Sequence, residues 1–412
     1  MEKFSIILGK TVQKITKLRG NGGSALPGLV VERSNPQFLK KTLGKLPRGV
    51  VVISGTNGKT TTTKIVSELL EKQGLKVFTN KSGSNFVRGV ISAILGDIKL
   101  NGSFDYDIAV LELDEAHAVK FCEVCPIDYS LILNVQRDQL DRFGEIDHTA
   151  ELLQKVAKQT RQTCVLNRED PRVRKLTAKN TVFFGLSGKL QDAFPSDDDL
   201  LSKTNKSKAK APAATVCLQS LDGQTAVYKI NQKDYRCQLA LKGIYNAFNA
   251  AGALALCHSI LPKAPASTLI EQLGGITSAF GRGESLHFGD QTIELLLVKN
   301  PSAFQLSLTS FADKDHDYMI AINDKVADGR DVSWLWNVDF LRLPRVKVAS
   351  GSRATDMALR LKYDEIDVDT VEEDLATALK IFSASSDRPK RIFATYTAML
   401  EIRKIISGKS IL

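Results

Sequence analysis

The strongest constraint on the fold is an unbroken apolar run that ends in a glycine-containing loop. Residues 50–53 read Val-Val-Val-Ile, which is the composition of a strand buried on both faces. Residues 54–58 break the run, and residues 59–74 then carry apolar side chains at helical spacing. Residues 75–79 return to a strand pattern. This strand–loop–helix–strand order predicts the first unit of a doubly wound α/β domain.

The loop has the composition of a phosphate-binding loop. It reads Gly55-Thr56-Asn57-Gly58-Lys59-Thr60-Thr61-Thr62. Glycines let backbone N–H groups wrap phosphate oxygens, and the helix that follows presents its positive end to the same anion. Lys59, which we expect at an exposed loop–helix junction, can reach the β- and γ-phosphates, and the Thr60 hydroxyl can hold Mg²⁺. The spacing is shorter than in the usual GxxxxGK[ST] loop, but the flanking strand and helix favour ATP binding over a plain glycine turn.

Further strands and helices extend this pattern as far as residue 285. We predict strands over 108–113, 129–134 and 164–167, and helices over 149–162 and 246–259. We expect β-hairpins over 216–241, with turn signals at Asp222-Gly223 and Asn231-Gln232. Each strand ends in polar residues, and ligands of open parallel sheets gather at the carboxyl ends of the strands. The composition of residues 187–214, with a Lys/Ser/Ala/Pro stretch over 203–212, predicts an exposed, mobile insertion.

A second α/β unit is predicted after about residue 284. Its strands are expected over 293–298, 318–322 and 346–349, and its helices over 303–311 and 371–382. The predicted fold class is therefore α/β, with three parts: an N-terminal segment (1–45) that packs on the central domain, a central P-loop ATPase domain with a parallel sheet (46–285), and a C-terminal α/β domain (286–412).

Composition limits the partners. The net charge of +10 suits an anionic partner, but no helix-turn-helix, zinc-finger or RNA-recognition signature is present, so we expect no nucleic acid. There is neither an apolar run of about 18 residues nor a secretory signal, which predicts a cytoplasmic chain without a membrane span. Cys122 and Cys125 have metal-ligand spacing, but no second pair answers them, so we expect packed thiols.

Further motifs, in the same order along the chain, make the sequence similar to Mur ligases and folylpolyglutamate synthases. Glu112 ends its strand as the Mg²⁺-binding glutamate does in that superfamily, and residues 134–142 resemble the stretch with its second metal ligand. Asn246 and Asn249 resemble the asparagines that contact adenine, and Arg282 resembles an arginine that reaches the nucleotide. Taken singly, Glu112 could be a solvated strand end, the asparagines could be helix caps and Arg282 a surface residue.

Two departures narrow the resemblance. Gln139 stands where the usual Mur ligases have a metal-binding histidine, and Gln154 stands where they have a carbamylated lysine. Lys155 is next to that position but should point elsewhere on the helix. The family that tolerates both departures is MurT, the synthetase subunit of lipid II isoglutaminyl synthase. The resemblance to MurT runs nearly end to end, through residues 20–28, 85–89 (with Asn85 beside the phosphates), 137–142, 328–334 and 352–361.

Two differences from common MurT sequences bear on the prediction. Asn337 stands where an aspartate is common. Many members carry a four-cysteine zinc ribbon, but residues 203–237 contain no CxxC pair, so no zinc is expected.

The resemblance implies a reaction and a partner. ATP would phosphorylate the D-glutamate α-carboxylate of lipid II at the inner face of the membrane, and ammonia would convert the acyl phosphate to D-isoglutamine. Mg²⁺, held by Thr60 and Glu112, and the ammonium of Lys59 would neutralise the transferring phosphoryl group. The chain has no recognisable glutaminase motif, so a GatD-type glutamine amidotransferase subunit would supply ammonia. Asp331, or Asp328 as second choice, would orient the histidine of that partner.

Other functions stay open at this point. A conventional ligase that adds an amino acid would share the nucleotide loop. A nucleotide-binding subunit without chemistry of its own would share it too. Asp331 could instead cap the segment that starts at Val332, since aspartate is a favoured cap.

Overall fold

The computed structural model describes residues 2–18, 25–80, 85–137, 146–194, 211–277 and 282–408. The predicted insertion falls mainly on residues 195–210, which lie outside the described residues, as does Gln139. Within the described ranges no helix is both long enough and apolar enough to span a membrane.

The first sheet is mostly parallel. Among the described residues it contains nine strands: β1 (Val50–Ser54), β2 (Val77–Thr79), β3 (Ile108–Glu112), β4 (Ile127–Ile132), β5 (Thr160–Asn167), β6 (Thr181–Leu186), β7 (Val216–Asp222), β8 (Thr225–Ile230) and β9 (Lys233–Gln238). Their order is β2-β3-β1-β4-β5-β6-β7-β8-β9, and every pair is parallel except β7–β8 and β8–β9. The predicted hairpins are thus the antiparallel edge of this sheet.

Helices cover both faces of the first sheet. They are α1 (Glu2–Leu18), α2 (Ala25–Ser34), α3 (Phe38–Leu43), α4 (Lys59–Lys72), α5 (Val87–Asp97), α6 (Glu115–Val124), α7 (Ile146–Gln159), α8 (Ile244–Ile260) and α9 (Ala266–Gly274). Val51 and Ile53 pack in one core with α4, while Val50 and Val52 pack in a second core with α5. Both faces of β1 are therefore buried, which explains its unbroken apolar sequence.

The N-terminal helices close one side of this sheet. Ile6 of α1, Val31 of α2 and Phe38 of α3 are buried in the same core as Val52. Burial of each such side chain stabilises the fold by about 1.5–3 kcal/mol relative to exposure. The segment that precedes β1 is thus part of the core of the first sheet.

A second sheet follows. Its strands are β10 (Arg282–Phe288), β11 (Gln291–Leu297), β12 (Asp317–Ala321), β13 (Val346–Ser350), β14 (Val368–Glu372) and β15 (Lys390–Ala394), in the order β10-β11-β15-β12-β13-β14. All pairs are parallel except β10–β11. Its helices are α10 (Pro301–Phe311), α11 (Ala354–Tyr363), α12 (Leu375–Ala384) and α13 (Tyr396–Ser407).

Several predicted boundaries differ from the structure by up to four residues. The helix expected over 149–162 ends at Gln159, and β5 begins with the next residue. The helix expected over 371–382 begins only at Leu375, because residues 371–372 still belong to β14 and Asp374 caps the helix by accepting from the Thr377 N–H (2.8 Å). The second sheet begins at Arg282, four residues before the boundary predicted at 286.

Candidate active site

The carboxyl ends of three adjacent parallel strands meet at one edge of the first sheet. β1 lies between β3 and β4, so the loop after β1 lies between Glu112, which ends β3, and Asn134, which follows β4. Parallel sheets gather ligands at this edge. The strand order therefore brings together residues that lie far apart in the sequence.

The loop after β1 needs glycine at two positions. Gly55 and Gly58 have φ of 127° and 89°, which L side chains rarely adopt. A Cβ at Gly58 would lie 2.6 Å from Oδ1 of Asn249. Asn134 holds the loop between them, because its Oδ1 accepts from the Asn57 N–H (2.7 Å) and its Nδ2 donates to the Asn57 carbonyl (3.0 Å). α4 begins directly at Lys59, so its positive end faces the loop.

Lys59 is buried, contrary to the expected exposed junction. Only 8% of the residue is exposed, and its Nζ donates to the Gly55 carbonyl (2.8 Å) and pairs with Oδ1 of Asp114 (3.1 Å). Burial raises the pKa of the Asp114 carboxyl, but the Lys59 ammonium and the more distant Lys299 outweigh it, so the pKa lies below its ordinary value. The ammonium is thus held over the loop by groups that a phosphate could replace.

Thr60 and Glu112 are brought together as predicted. The Thr60 hydroxyl donates to Oε1 of Glu112 (3.0 Å), and Asn85 Nδ2 donates to the same oxygen (3.0 Å). Asn80 holds the backbone of Glu112 through two hydrogen bonds, and Glu112 is buried. A hydroxyl and a carboxylate oxygen beside a phosphate loop fit Mg²⁺, which binds proteins through few oxygens together with substrate phosphates and water. Glu112 is therefore more than a solvated strand end.

A cavity opens beside the loop. Asn57, Gly58 and Asn249 line it, and so do the aromatic rings of Tyr245 and Phe248 from α8. Asn249 therefore faces the cavity, and its contact with adenine stays a prediction. Apolar and aromatic walls with a few polar groups are typical of small-molecule sites.

Asn246, three residues earlier, does not line this cavity. It is fully buried in the first turn of α8, and its Nδ2 donates to the Lys242 carbonyl (2.7 Å). This bond anchors the start of the helix. The side chain does not cap α8, since the residue before the helix is Gly243 and no side-chain cap hydrogen bond forms there, and the contact of Asn246 with adenine stays a prediction.

The second sheet contributes two residues that the sequence patterns did not single out. Lys299 Nζ donates to the Thr56 carbonyl (2.9 Å), and the Asn300 amide exchanges two hydrogen bonds with the Asn57 amide (3.1 and 3.2 Å). Asn300 also accepts from the Ala303 N–H (2.9 Å) and so caps α10. The pair Asn300-Pro301 signals a helix start in the sequence, but nothing local indicates contact with a loop 243 residues away.

The other predicted positions are partly described. Arg282 opens β10, but its side chain lies outside the described atoms, and so does all of Gln139. Gln154 exchanges hydrogen bonds with the backbone of Thr177 (2.8 and 3.0 Å), which fixes a loop, and Lys155 is exposed. Thr61 is buried in the first turn of α4.

Asp331 lies on the second domain, on an exposed loop after β12. Its Oδ1 accepts from the Ser333 N–H (2.8 Å), at the start of a short 3₁₀ helix over Ser333–Asn337. Asp331 borders a depression in the surface. Its lining residues are Arg330, Asp331, Val332, Ser333, Leu335, Trp336, Arg353, Asp356 and Leu359. Asn337 ends the 3₁₀ helix and is exposed.

Asp328, the second choice, is an internal residue. It is buried, and its carboxylate accepts from the Thr397 N–H (2.7 Å) and the Thr397 hydroxyl (2.5 Å). Burial raises the pKa of this carboxyl above its ordinary value in spite of these bonds. Asp328 fastens the loop to α13 and does not present a carboxylate to solvent.

Comparison with known proteins agrees with this geometry. Residues 53–257 match the Mur ligase middle domain and residues 297–399 match the MurT ligase C-terminal domain. The MurT subunit of lipid II isoglutaminyl synthase (glutamine-hydrolyzing) from Streptococcus pneumoniae is 30% identical, and the match covers 99% of this chain and 97% of that protein. The chain belongs to the MurT family. It is accordingly an ATP-dependent ligase of the Mur type.

Solved structures agree on the fold of this MurT-family chain. A pseudomurein peptide ligase type C from Methanothermus fervidus superposes with a TM-score of 0.70 at 18% identity, over 92% of this chain and 84% of that one. MurF ligase from Thermotoga maritima in complex with ADP superposes with a TM-score of 0.68 at 19% identity, over the same shares. The predicted Mur-ligase fold is thereby confirmed.

Proposed function

We propose that this chain amidates the D-glutamate α-carboxylate of lipid II at the expense of ATP, giving D-isoglutamine. The observation that carries the proposal is the arrangement of Lys59, Thr60 and Glu112 beside the cavity, in a chain of the MurT family. A carboxylate is a poor acyl donor, and phosphorylation gives it a leaving group. Such a reaction needs a cationic, metal-competent phosphate site next to a nucleotide pocket.

The reaction has two steps. An oxygen of the acceptor carboxylate attacks the γ-phosphorus of ATP, which forms an acyl phosphate and releases ADP. Ammonia then attacks the acyl carbon, phosphate leaves and a proton is released. Mg²⁺ held by Thr60 and Glu112 would neutralise charge on the phosphoryl group when bound. Lys59 contributes a fixed positive charge, and the loop N–H groups orient the phosphates.

We further propose that ammonia comes from a GatD-type glutaminase and that Asp331 completes its active site. The exposed position of Asp331 supports this, since one oxygen is used by Ser333 and the other can accept from a donor outside the chain. The third member of a triad orients the histidine and stabilises its charged form. The acceptor would be met at the inner face of the membrane.

Purified chain with ATP, Mg²⁺, lipid II and ammonium tests the proposal. Mass spectrometry should find the acceptor carboxyl replaced by an amide, and ADP release should require the acceptor. Hydroxylamine in place of ammonium should trap the acyl phosphate as a hydroxamate. Dependence on an added amino acid would instead favour a conventional ligase, and nucleotide binding without turnover would favour a non-catalytic subunit.

A further inference from the structure

Helix α1 has two faces with opposite roles. The inner face is packed on the protein. A Cβ at Gly9 would lie within 2.6–2.8 Å of side-chain atoms of Val31 and Leu95, so α1 approaches α2 and α5 very closely. Lys10 Nζ donates to the Leu95 carbonyl (2.7 Å) and Gln13 donates to the Ser92 carbonyl (3.0 Å). The orientation of α1 on the protein is therefore fixed.

The outer face of α1, defined here as Phe4, Ile7, Thr11, Ile15 and Leu18, is almost wholly apolar. These positions are spaced by three or four residues and so form one stripe along the helix. Phe4 is 67% exposed, Ile7 53%, Ile15 45% and Leu18 80%. A helix of this length is about 25 Å long. An apolar stripe of this kind on a surface helix is typical of an interaction site.

Charge identifies the occupant. Helix α1 contains four lysines and one acidic residue, Glu2 at its first position, and Lys3 and Lys14 are exposed next to the outer face. An apolar stripe with lysines beside it is the composition of helices that lie flat in the interface of an anionic membrane. Two copies of α1 pressed face to face would instead bring lysine against lysine, with a single carboxylate, Glu2, in each copy against four lysines.

We propose that the outer face of α1 binds the surface of an anionic lipid bilayer. The apolar side chains enter the interface while Lys3 and Lys14 contact lipid phosphates. The proposal rests on the proposed function, because membrane binding would help this enzyme only if its acceptor is linked to a lipid whose head group lies at that surface. A chain anchored there meets its acceptor by diffusion in two dimensions.

Vesicle sedimentation of the full chain tests the proposal. Vesicles of phosphatidylcholine alone are compared with vesicles that also contain phosphatidylglycerol, and neither contains acceptor. We expect binding to the mixed vesicles that weakens at high salt. The combined change Phe4→Ser, Ile7→Ser and Leu18→Ser should lower binding by about tenfold or more. Lys3→Gln with Lys14→Gln should lower binding several-fold on the mixed vesicles alone.

Leu341→Ser with Val371→Ser is the matched control, because both side chains are exposed and both lie in the second domain. It should bind like the wild type. Equal binding by the triple variant and this control would overturn the proposal. A second outcome would also overturn it: the wild type forms a dimer, the triple variant does not, and neither protein binds vesicles. That outcome would assign the outer face of α1 to a second copy of the chain. If the triple variant no longer binds the glutaminase but binds vesicles as the wild type does, the outer face of α1 would be assigned to a protein partner, and the proposal would be overturned.

Acceptor dissolved in detergent separates this proposal from the proposed function. In micelles the triple variant should amidate at the wild-type rate, while on acceptor-containing vesicles it should be slower. If the wild-type chain amidates the acceptor in micelles but does not bind vesicles, the proposed membrane contact of α1 is wrong and the proposed function is unaffected. If the wild-type chain binds vesicles but does not amidate the acceptor, the proposed function is wrong and the proposed membrane contact is unaffected.

Discussion

The phosphate loop and the loop over residues 322–332, here called the Asp331 loop, both follow a parallel strand. Their polar groups have different partners. In the phosphate loop, polar groups are buried and hydrogen bonded to Asn134, Lys299 and Asn300. In the other loop, Asp331 is exposed and holds one backbone N–H. A site whose walls come from the chain itself needs only a small ligand. A carboxylate presented on the surface needs a second macromolecule to become part of a site.

This difference leads to distinct experimental expectations. Changes at the phosphate loop should affect amidation with every nitrogen source, because they act on ATP. Changes at the Asp331 loop should affect only the glutamine-dependent reaction, because they act on ammonia supply. Each experiment below compares added ammonium with glutamine plus glutaminase.

The largest effect is expected for Lys59→Ala. The variant loses the only positive charge that the loop itself contributes, and amidation should fall by at least about a hundredfold with ammonium and with glutamine alike. Initial rates of ADP release measure this. Because Lys59 is buried beside Asp114, a lowered melting temperature is expected as well, so folding must be checked by circular dichroism.

Lys72→Ala is the control for Lys59→Ala. Lys72 lies in the last turn of the same helix and bonds the Gln272 carbonyl (2.9 Å) at the surface. Its removal should leave the rate unchanged. A folded Lys59→Ala variant with normal turnover would contradict the phosphate-loop assignment.

Asp331→Asn should lower glutamine-dependent amidation by about a hundredfold or more and spare the ammonium-dependent reaction. The amide keeps an oxygen for the Ser333 N–H but cannot stabilise a charged histidine. Rates with both nitrogen sources, measured on the complex with the glutaminase, give the comparison.

Asp339→Asn is a close match for Asp331→Asn. Asp339 is also exposed and also accepts from the N–H two residues later, that of Leu341 (3.0 Å). It should leave both reactions unchanged. If Asp331→Asn lowers both reactions equally, Asp331 has a structural role and the contrast between the two loops fails.

Local patterns explain why the phosphate loop was predictable. Strand, loop and helix are contiguous from Val50 to Lys72, so burial, glycine conformation and the helix N-terminus can all be read from one segment. The contacts of Lys299 and Asn300 depend on how two domains pack, and no local pattern encodes that. Lys59 was expected to be exposed because it lies at a loop–helix junction, yet its pairing with Asp114 allows burial.

The helix predicted over 371–382 started too early for an identifiable reason. Val371 suggested a helix start, although residues 368–372 alternate between half-buried and exposed, the pattern of a strand. The capping residue Asp374 was the signal for the true start. Asn246 and Asn249 are three residues apart in α8, yet Asn249 lines the cavity while the Asn246 amide bonds the Lys242 carbonyl, and contact of either with adenine stays a prediction.

Glu112→Gln should have an intermediate effect. The amide fills the same space but carries no charge, so the Mg²⁺ concentration for half-maximal rate should rise by about tenfold or more with either nitrogen source. Glu372→Gln is the control, because Glu372 also ends a parallel strand, in the second sheet, and its carboxylate accepts from the Asp374 N–H (2.9 Å). An unchanged Mg²⁺ requirement in Glu112→Gln would show that this carboxylate is not a metal ligand.

The smallest effect is expected for Lys299→Met, which tests whether the phosphate loop is complete without the second domain. The change removes the hydrogen bond to the Thr56 carbonyl and a positive charge near Asp114. A charged hydrogen bond contributes about 1.5–3 kcal/mol, but Lys299 is half-buried and solvent reduces this, so KM for ATP should rise about three- to tenfold. Lys325→Met, at an exposed lysine of the same domain, should leave KM unchanged. A lower kcat with unchanged KM would mean instead that Lys299 acts on the transferring phosphoryl group. The second domain would then contribute a residue to the phosphoryl transfer itself, in addition to residues that hold the phosphate loop.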